Sequence, residues 1–265
     1  MIRAVVTDLD GTIVLAGDVV TPATVAAAGR LRELGIPLVA ATARSPAGVG
    51  RLGGFGRGFA LAVGNGGSRG WDPATGRTLW EEFIEPDELQ DLAGFVGSMP
   101  GAGMSAFVVD GRVMTPEHVV LRGGLPSEPW REMGLGDLWR KPAYAVDIRH
   151  PTLSSDELVA GLTAAGLSRR VTISYSADHL VDIGPLGVDK GTGVRRALDL
   201  LGLSPAEAVA FGDMPNDLPM FAACGRSVAM GNAHTTVRAA ATRVTGSAAE
   251  DGFARALTGV GGLLG

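Results

Sequence analysis

Asp8-Leu9-Asp10-Gly11-Thr12 decides the fold of this chain. It sets two carboxylates two residues apart where an apolar run, Ile2-Arg3-Ala4-Val5-Val6-Thr7, meets a glycine turn. The run is short and rich in β-branched residues, the pattern of a strand buried on both faces of a parallel sheet. Asp8 is therefore expected at the strand's C-terminal tip, and the Gly11 turn can swing Asp10 back over that tip. A carboxylate so placed can attack phosphorus, and a second one can pass a proton to or from a leaving oxygen. Asp and Gly are also ordinary turn residues, so the pentapeptide alone reads equally as an Asx-turn that ends a strand.

The same design recurs four times. Apolar runs at 36–41, 59–64, 208–212 and 227–231 end in Thr42, Asn65, Asp213 and Asn232. In an open parallel α/β sheet, ligands bind in the crevice beyond the strands' C-terminal ends, so the five polar tips are expected to converge there. The intervening segments read as crossover helices. Thr21-Pro22 is an N-cap followed by proline, Val25, Ala28, Leu31 and Leu34 form an apolar stripe, and Gly35 ends it. Val194, Ala197, Leu198 and Leu201 do the same before Gly202, and Ser204-Pro205-Ala206-Glu207 is a capping box ahead of the Asp213 strand. Alternating strand and helix predict an α/β fold with a parallel sheet covered on both faces.

At 265 residues the chain can hold one large domain with an insert, or two modest domains. A net charge of −5 argues against nucleic acid as the main partner. Cys224 is the only cysteine, so no internal disulfide forms and a reducing compartment suits the chain. No signal peptide or transmembrane span is visible, which makes a cytoplasmic location, without a membrane partner, the expectation. No readable feature sets the oligomeric state.

Gly212-Asp213-Met214-Pro215-Asn216-Asp217 is the second strong motif, with a short helix expected from Pro215 onward. Were Asp8, Asp10, Asp213 and Asp217 about 6 Å apart, each pair would repel by ~3 kcal/mol at an effective dielectric of 20. Six pairs then reach a total on the order of 15 kcal/mol, comparable to a domain's net stability of roughly 5–15 kcal/mol. The cluster calls for a cation. His118, His150, His179 and His234 show no zinc spacing, whereas carboxylates and carbonyls suit Mg²⁺. Lys190, in Gly187-Val188-Asp189-Lys190-Gly191, is a further positive group just before a helix; a solvated lysine at a helix start would look the same.

Taken together these residues resemble the haloacid dehalogenase (HAD) superfamily of phosphotransferases. Asp8-Leu9-Asp10-Gly11-Thr12 is similar to its first motif, Thr42 to its second, Lys190 to its third, and Gly212-Asp213 through Asn216-Asp217 to its fourth, in the family's order. Ala41-Thr42-Ala43-Arg44, Asn65-Gly66, Ala229-Met230-Gly231-Asn232-Ala233 and Glu250-Asp251-Gly252 point to the Cof-type branch, with its class IIB cap. That branch usually has glycine where Ala43 stands. Alanine keeps the N–H that holds phosphate, although a positive φ there would cost roughly 1 kcal/mol.

The resemblance implies a Rossmann-like core, residues 1–80 and 186–265, and an inserted α+β cap, residues 81–185. Within the insert, Pro86-Asp87-Glu88-Leu89 starts a helix and Ser105 to Met114 reads as a hairpin turning at Asp110-Gly111. Tyr144 to Ile148 reads as a strand, and Val171–Tyr175 pairs with Leu180–Ile183. The implied activity is a Mg²⁺-dependent phosphatase acting on a small phosphorylated metabolite through an aspartyl-phosphate. Sugar phosphates lead, with nucleotides and flavin mononucleotide behind. Asp8 would be nucleophile and Asp10 acid and base. Mg²⁺ would be held by the Asp8 carboxylate, the Asp10 backbone carbonyl and Asp213, with Asp217 in support. Thr42, the Ala43 N–H, Lys190 and Asn216 would bind the phosphoryl group. A phosphomutase or phosphotransferase with the same intermediate, or a non-catalytic phospho-ligand sensor, are the other classes to weigh.

Three other features carry less. Gly48-Val49-Gly50-Arg51-Leu52-Gly53 fits GxGxxG but begins six residues after the tip at Thr42, outside the tight turn that a dinucleotide needs, so a glycine-rich helix or loop is expected. Trp71, Trp80, Trp130 and Trp139 lack interleaved basic residues and read as packing. His118 and His179 read as surface histidines of the insert.

Overall fold

A computed structural model describes residues 2–124, 126, 128–258, 262 and 263; the Trp139 side chain lies outside the described residues. In chain order the strands are β1 (Ala4–Thr7), β2 (Leu38–Ala41), β3 (Leu61–Gly64), β4 (Arg69–Trp71) and β5 (Thr78–Glu81). Then come β6 (Gly103–Val108), β7 (Gly111–Met114), β8 (Trp130–Glu132), β9 (Ala143–Arg149), β10 (Val171–Ser174) and β11 (Leu180–Pro185), and finally β12 (Ala208–Gly212), β13 (Arg226–Ala229) and β14 (Arg243–Val244). They make two sheets, ordered β14-β13-β12-β1-β2-β3-β4-β5 and β10-β11-β9-β6-β7-β8.

In the larger sheet β14 through β3 run parallel, each predicted run supplying one strand. All four β1 residues are buried, as expected of a strand covered on both faces. The chain adds β2 and β3 on one side of β1 and later β12 and β13 on the other, so the order reverses at β1 and opens a crevice beyond its C-terminal end. The sheet is not wholly parallel, since β4 and β5 continue it antiparallel beyond β3. Trp71 is buried in the core there and Trp80 donates its indole N–H to Gly67 O at 3.1 Å.

Helix Pro22–Glu33 starts where expected, with Thr21 Oγ1 accepting from Thr24 N, but its buried face is Thr24, Ala27 and Leu31. Val25 and Leu34 are exposed, which corrects the predicted stripe. Steps of three residues fall short of a full turn, so Val25 and Leu34 lie roughly half a turn apart and cannot share a face. Helix Lys190–Leu200 buries Val194, Ala197 and Leu198 as predicted, behind a capping box of Asp189 and Thr192. The GxGxxG stretch forms two short helices, Pro46–Gly50 and Gly53–Gly56. Among the described residues no helix is long and apolar enough to cross a membrane.

The insert has an apolar cluster of its own, from Ile84 to Ile183, which shares no residue with the core cluster. Helices Pro86–Gly97 and Ser155–Ala164 supply Leu89, Leu92, Val96, Leu158 and Leu162 to it. The hairpin pairs Val108 with Gly111 across Val109-Asp110, and β10 pairs antiparallel with β11. His118 departs from expectation: it is fully buried beneath the insert sheet, with Nε2 3.3 Å from Arg112, while His179 is exposed.

Candidate active site

Asp8 leaves β1 with its N–H donated to Phe211 O of β12 at 2.8 Å, which fixes the tip against the neighbouring strand. Its carboxylate is buried, and Lys190 Nζ donates to Asp8 Oδ1 and to Asp217 Oδ1, both at 2.7 Å. Lys190 opens its helix and is 2% exposed, so it is no solvated lysine. Gly67, at φ +117°, lets its loop meet the backbone ahead of that helix, for a Cβ there would fall 2.1 Å from Asp189 O.

Asp217 also accepts the N–H groups of Asp213 and Met214, at 2.8 and 3.0 Å. It thereby ties the turn after β12 to Lys190. Asp213 accepts from Thr12 Oγ1 at 3.0 Å and from Asn232 Nδ2 at 3.3 Å. Gly11 is in the left-handed region at φ +77°, and a Cβ on it would come 2.3 Å from Asp213 Oδ2. The glycine of the opening motif is what lets Asp213 approach Asp8.

Asp8, Asp213 and Asp217 each place a carboxylate oxygen within 4.8 Å of the others, all buried. Against three carboxylates stands one ammonium. Burial, with Asp217, Asp213 and Asp10 adding to it, drives Asp8 well above the usual carboxylate range despite Lys190. Burial and Asp217 push Asp213 up to about 7. Burial pulls the Lys190 ammonium down, but Asp217 and Asp8 outweigh it and hold it above its usual value. An oxygen-only, electron-rich donor set that is short of positive charge fits a hard divalent cation.

Asp10 does not join this cluster by its side chain, so the expected repelling quartet is a trio. Its carboxylate turns outward, 61% exposed, and Arg44 grips both oxygens, Nε to Oδ2 at 2.7 Å and Nη2 to Oδ1 at 2.5 Å. Arg44 is further tied to Gly48 O at 3.1 Å and Asp18 at 2.8 Å. Thr42 is buried, with Oγ1 accepting from Arg44 N at 3.1 Å. Ala43 beside it is not among the residues with positive φ, so the strain considered above does not arise. Asn216 is buried, its Oδ1 has no partner and its N–H donates to Tyr175 O of the insert at 3.3 Å.

Asp8, Asp10, Thr42, Ala43 and Asn216 share a cavity of about 290 Å³ whose other wall belongs to the insert. That is the small end of ligand pockets, which run roughly 300–1,000 Å³. Arg44, Thr12 and Asn232 were inside quoted motifs yet carried no assigned role. Arg112, Arg122, Arg149, Asp147 and Asp182 on the insert wall are scattered along the chain, without a local spacing to mark them.

A family model described as haloacid dehalogenase-like hydrolase matches residues 5–257. The chain belongs to that family, in its Cof-type phosphatase branch, and its class of activity is phosphoric monoester hydrolysis. A phosphoglycolate phosphatase of Halorubrum lacusprofundi is 34% identical over 197 residues, 71% of this chain and 83% of that one. The HMP-PP phosphatase of Citrobacter koseri is 29% identical over 252 residues, 88% and 85% of the two chains. A 38% identical phosphoglycolate phosphatase of Haloarcula marismortui aligns over only 49% of this chain and 58% of its own length. The structure of a HAD subclass IIB sugar phosphatase superposes with a TM-score of 0.84 at 20% identity, covering 96% and 97% of the chains, which shows a shared fold.

Proposed function

We propose that the protein is a Mg²⁺-dependent phosphatase of the cytoplasm that hydrolyses a small phosphorylated metabolite, in the first place a sugar phosphate, through an aspartyl-phosphate on Asp8. Residues 81–185 act as a cap that closes the cavity and selects the substrate. The observation that carries this reading is the bridge Asp8–Lys190–Asp217 beside an uncompensated Asp213, at the open end of β1.

Asp8 Oδ attacks phosphorus as the bond to the leaving oxygen breaks, and Asp10 gives that oxygen a proton. Asp10 then takes a proton from water, which attacks the acyl-phosphate and frees Asp8 and inorganic phosphate. Both oxygens of Asp10 are engaged by Arg44, so proton transfer requires the guanidinium to release at least one of them. Lys190, the Thr42 hydroxyl, the Ala43 N–H and Asn216 hold the phosphoryl oxygens. Asp8, Asp213 and Asp217, with the Asp10 carbonyl, would hold Mg²⁺, which supplies positive charge that offsets phosphate and nucleophile.

The test is phosphate release from a panel of phosphomonoesters with Mg²⁺, followed by mass spectrometry of a quenched reaction. Stoichiometric free phosphate and a transient phosphoryl label on Asp8 are expected. Label on another residue, or phosphoryl transfer to a sugar hydroxyl without free phosphate, would overturn the reading.

A further inference from the structure

The insert wall of the cavity holds more positive charge than its own carboxylates engage. Arg112 is satisfied, paired with Asp147, 3.6 Å from Glu128, donating to Ser105 Oγ at 2.6 Å and stacked 4.2 Å from the Phe107 ring centroid. Arg122 and Arg149 make no ion pair among the described residues. Arg122 gives one N–H to Gly124 O, and Arg149 Nε is buried with no hydrogen-bond partner. A buried guanidinium N–H left unpaired is costly, and a bound anion is one of the partners that can complete the bond.

The carboxylates nearby do not cancel this surplus. Burial, with Asp147 directly across the strand pair, pushes Asp182 up to about 7. Glu128 and Asp147 are already taken by Arg112. Burial and then the Arg112 guanidinium pull Arg122 below its usual value, against the opposing pull of Glu128 and Asp147, and Arg149 adds to the lowering. Across the cavity lies Asp8, where the scissile phosphoryl group would sit.

We propose that Arg149, flanked by Arg122, binds a second anionic group on the substrate. The substrate class is then a small phosphomonoester that carries a carboxylate or a second phosphate at the end remote from the scissile bond. Guanidinium is suited to both, since its fork of N–H donors matches two oxygens of either group. This inference rests on the phosphatase reading for the orientation of the substrate, and it narrows the sugar-phosphate class to acidic or doubly phosphorylated members. Arg149 is a specificity-determining residue here, on the insert wall of the cavity that Asp8 lines from the core side.

The experiment uses matched pairs that differ only at the remote end: 3-phosphoglycerate against glycerol 3-phosphate for a carboxylate, and fructose 1,6-bisphosphate against fructose 6-phosphate for a phosphate. The anionic member of at least one pair is expected to have a kcat/KM at least about tenfold higher, chiefly through KM, and the pair that shows it identifies the group. Arg149→Ala should bring that ratio toward one, and Arg149→Lys should keep part of it. A ratio at or below one for both pairs in the unmodified protein, or a ratio unchanged in Arg149→Ala, would overturn the inference while leaving the phosphatase intact. If no ester is hydrolysed, the phosphatase reading fails, and the same pairs are compared by calorimetric binding. Tighter binding of the anionic member that Arg149→Ala removes would then sustain the anion site, and equal binding would sink it.

Discussion

Lys190 in the core and Arg112 in the insert are built alike: each is a buried cation held by two carboxylates, Asp8 and Asp217 in one case, Asp147 and Glu128 in the other. Their surroundings differ in sign. Beyond Lys190 stands Asp213, a further carboxylate; beyond Arg112 stand Arg122 and Arg149, further cations. The core half of the cleft is therefore short of positive charge and the insert half short of negative charge. A phosphate ester brought with a cation at one end and an anionic tail at the other would satisfy both.

The largest effect expected from this asymmetry is on turnover. Rigorous chelation should abolish phosphate release and added Mg²⁺ should restore it, because Lys190 is already bonded to Asp8 and Asp217 and offsets Asp213 only in part; full activity in the stripped protein would break the comparison at its core end. Next in size are Lys190→Met and Arg112→Met. Each strands two carboxylates, both buried beside Lys190 and one buried and one half-buried beside Arg112, and breaking such a pair typically costs about 3–5 kcal/mol. Denaturant unfolding should show similar losses for both, and Mg²⁺, which finds the same carboxylate trio in each, should raise stability more in Lys190→Met, where a cation also takes the place of the ammonium. An equal response to Mg²⁺ in the two variants would show that the halves are not of opposite sign.

A smaller effect follows from His118. Burial, helped by Arg112 and Arg149 and resisted by Asp147, lowers its imidazole to about 4. In the unfolded chain histidine titrates near 6.5, so between these values the unfolded state binds the extra proton and stability falls as pH drops. From pH 7 to pH 5 this loss is about 2 kcal/mol, and His118→Gln should remove it. The check is unfolding of both proteins at the two pH values; the same pH sensitivity in each would reject a neutral buried His118. Smallest is Ser45→Ala. Ser45 Oγ donates to Glu128 Oε2 of the insert at 2.9 Å and accepts from Gly48 N at 3.2 Å, joining the two halves and capping a short helix. Its loss should lower stability by about 1–2 kcal/mol in thermal unfolding, and no change would mean that this link contributes nothing to holding the halves together.

The core was legible because strand tips advertise themselves: a β-branched run that stops at Asp8, Thr42, Asn65, Asp213 or Asn232 is a local signal. β4 and β5 were not read, since they are short, mixed in polarity and broken by Gly70, whose lack of a side chain makes room for the Trp80 ring. The helix stripe through Val25 failed on a period of three where the helix needs 3.6. In the site, residue types and order gave Asp8, Lys190, Asp213 and Asp217, but not the outward turn of Asp10, which depends on Arg44 reaching it across 34 residues. Arg112, Arg122 and Arg149 converge only through the insert's sheet and the helix Pro116–Arg122, so no spacing could bring them together on paper.

The pairing of β1 with β12, Ala4 opposite Ala208, has a consequence for how the protein is made. At a synthesis rate of about 5–20 residues per second, Ala208 follows Ala4 by on the order of ten to forty seconds. Throughout that interval one edge of β1, buried along its whole length in the finished fold, has no partner, and by its end all the residues of the insert's sheet have emerged. The insert is therefore expected to complete its sheet first, and the core to close around it. Asp8 is the first residue of the site to leave the ribosome, and it waits for Lys190, Asp213 and Asp217, which come last.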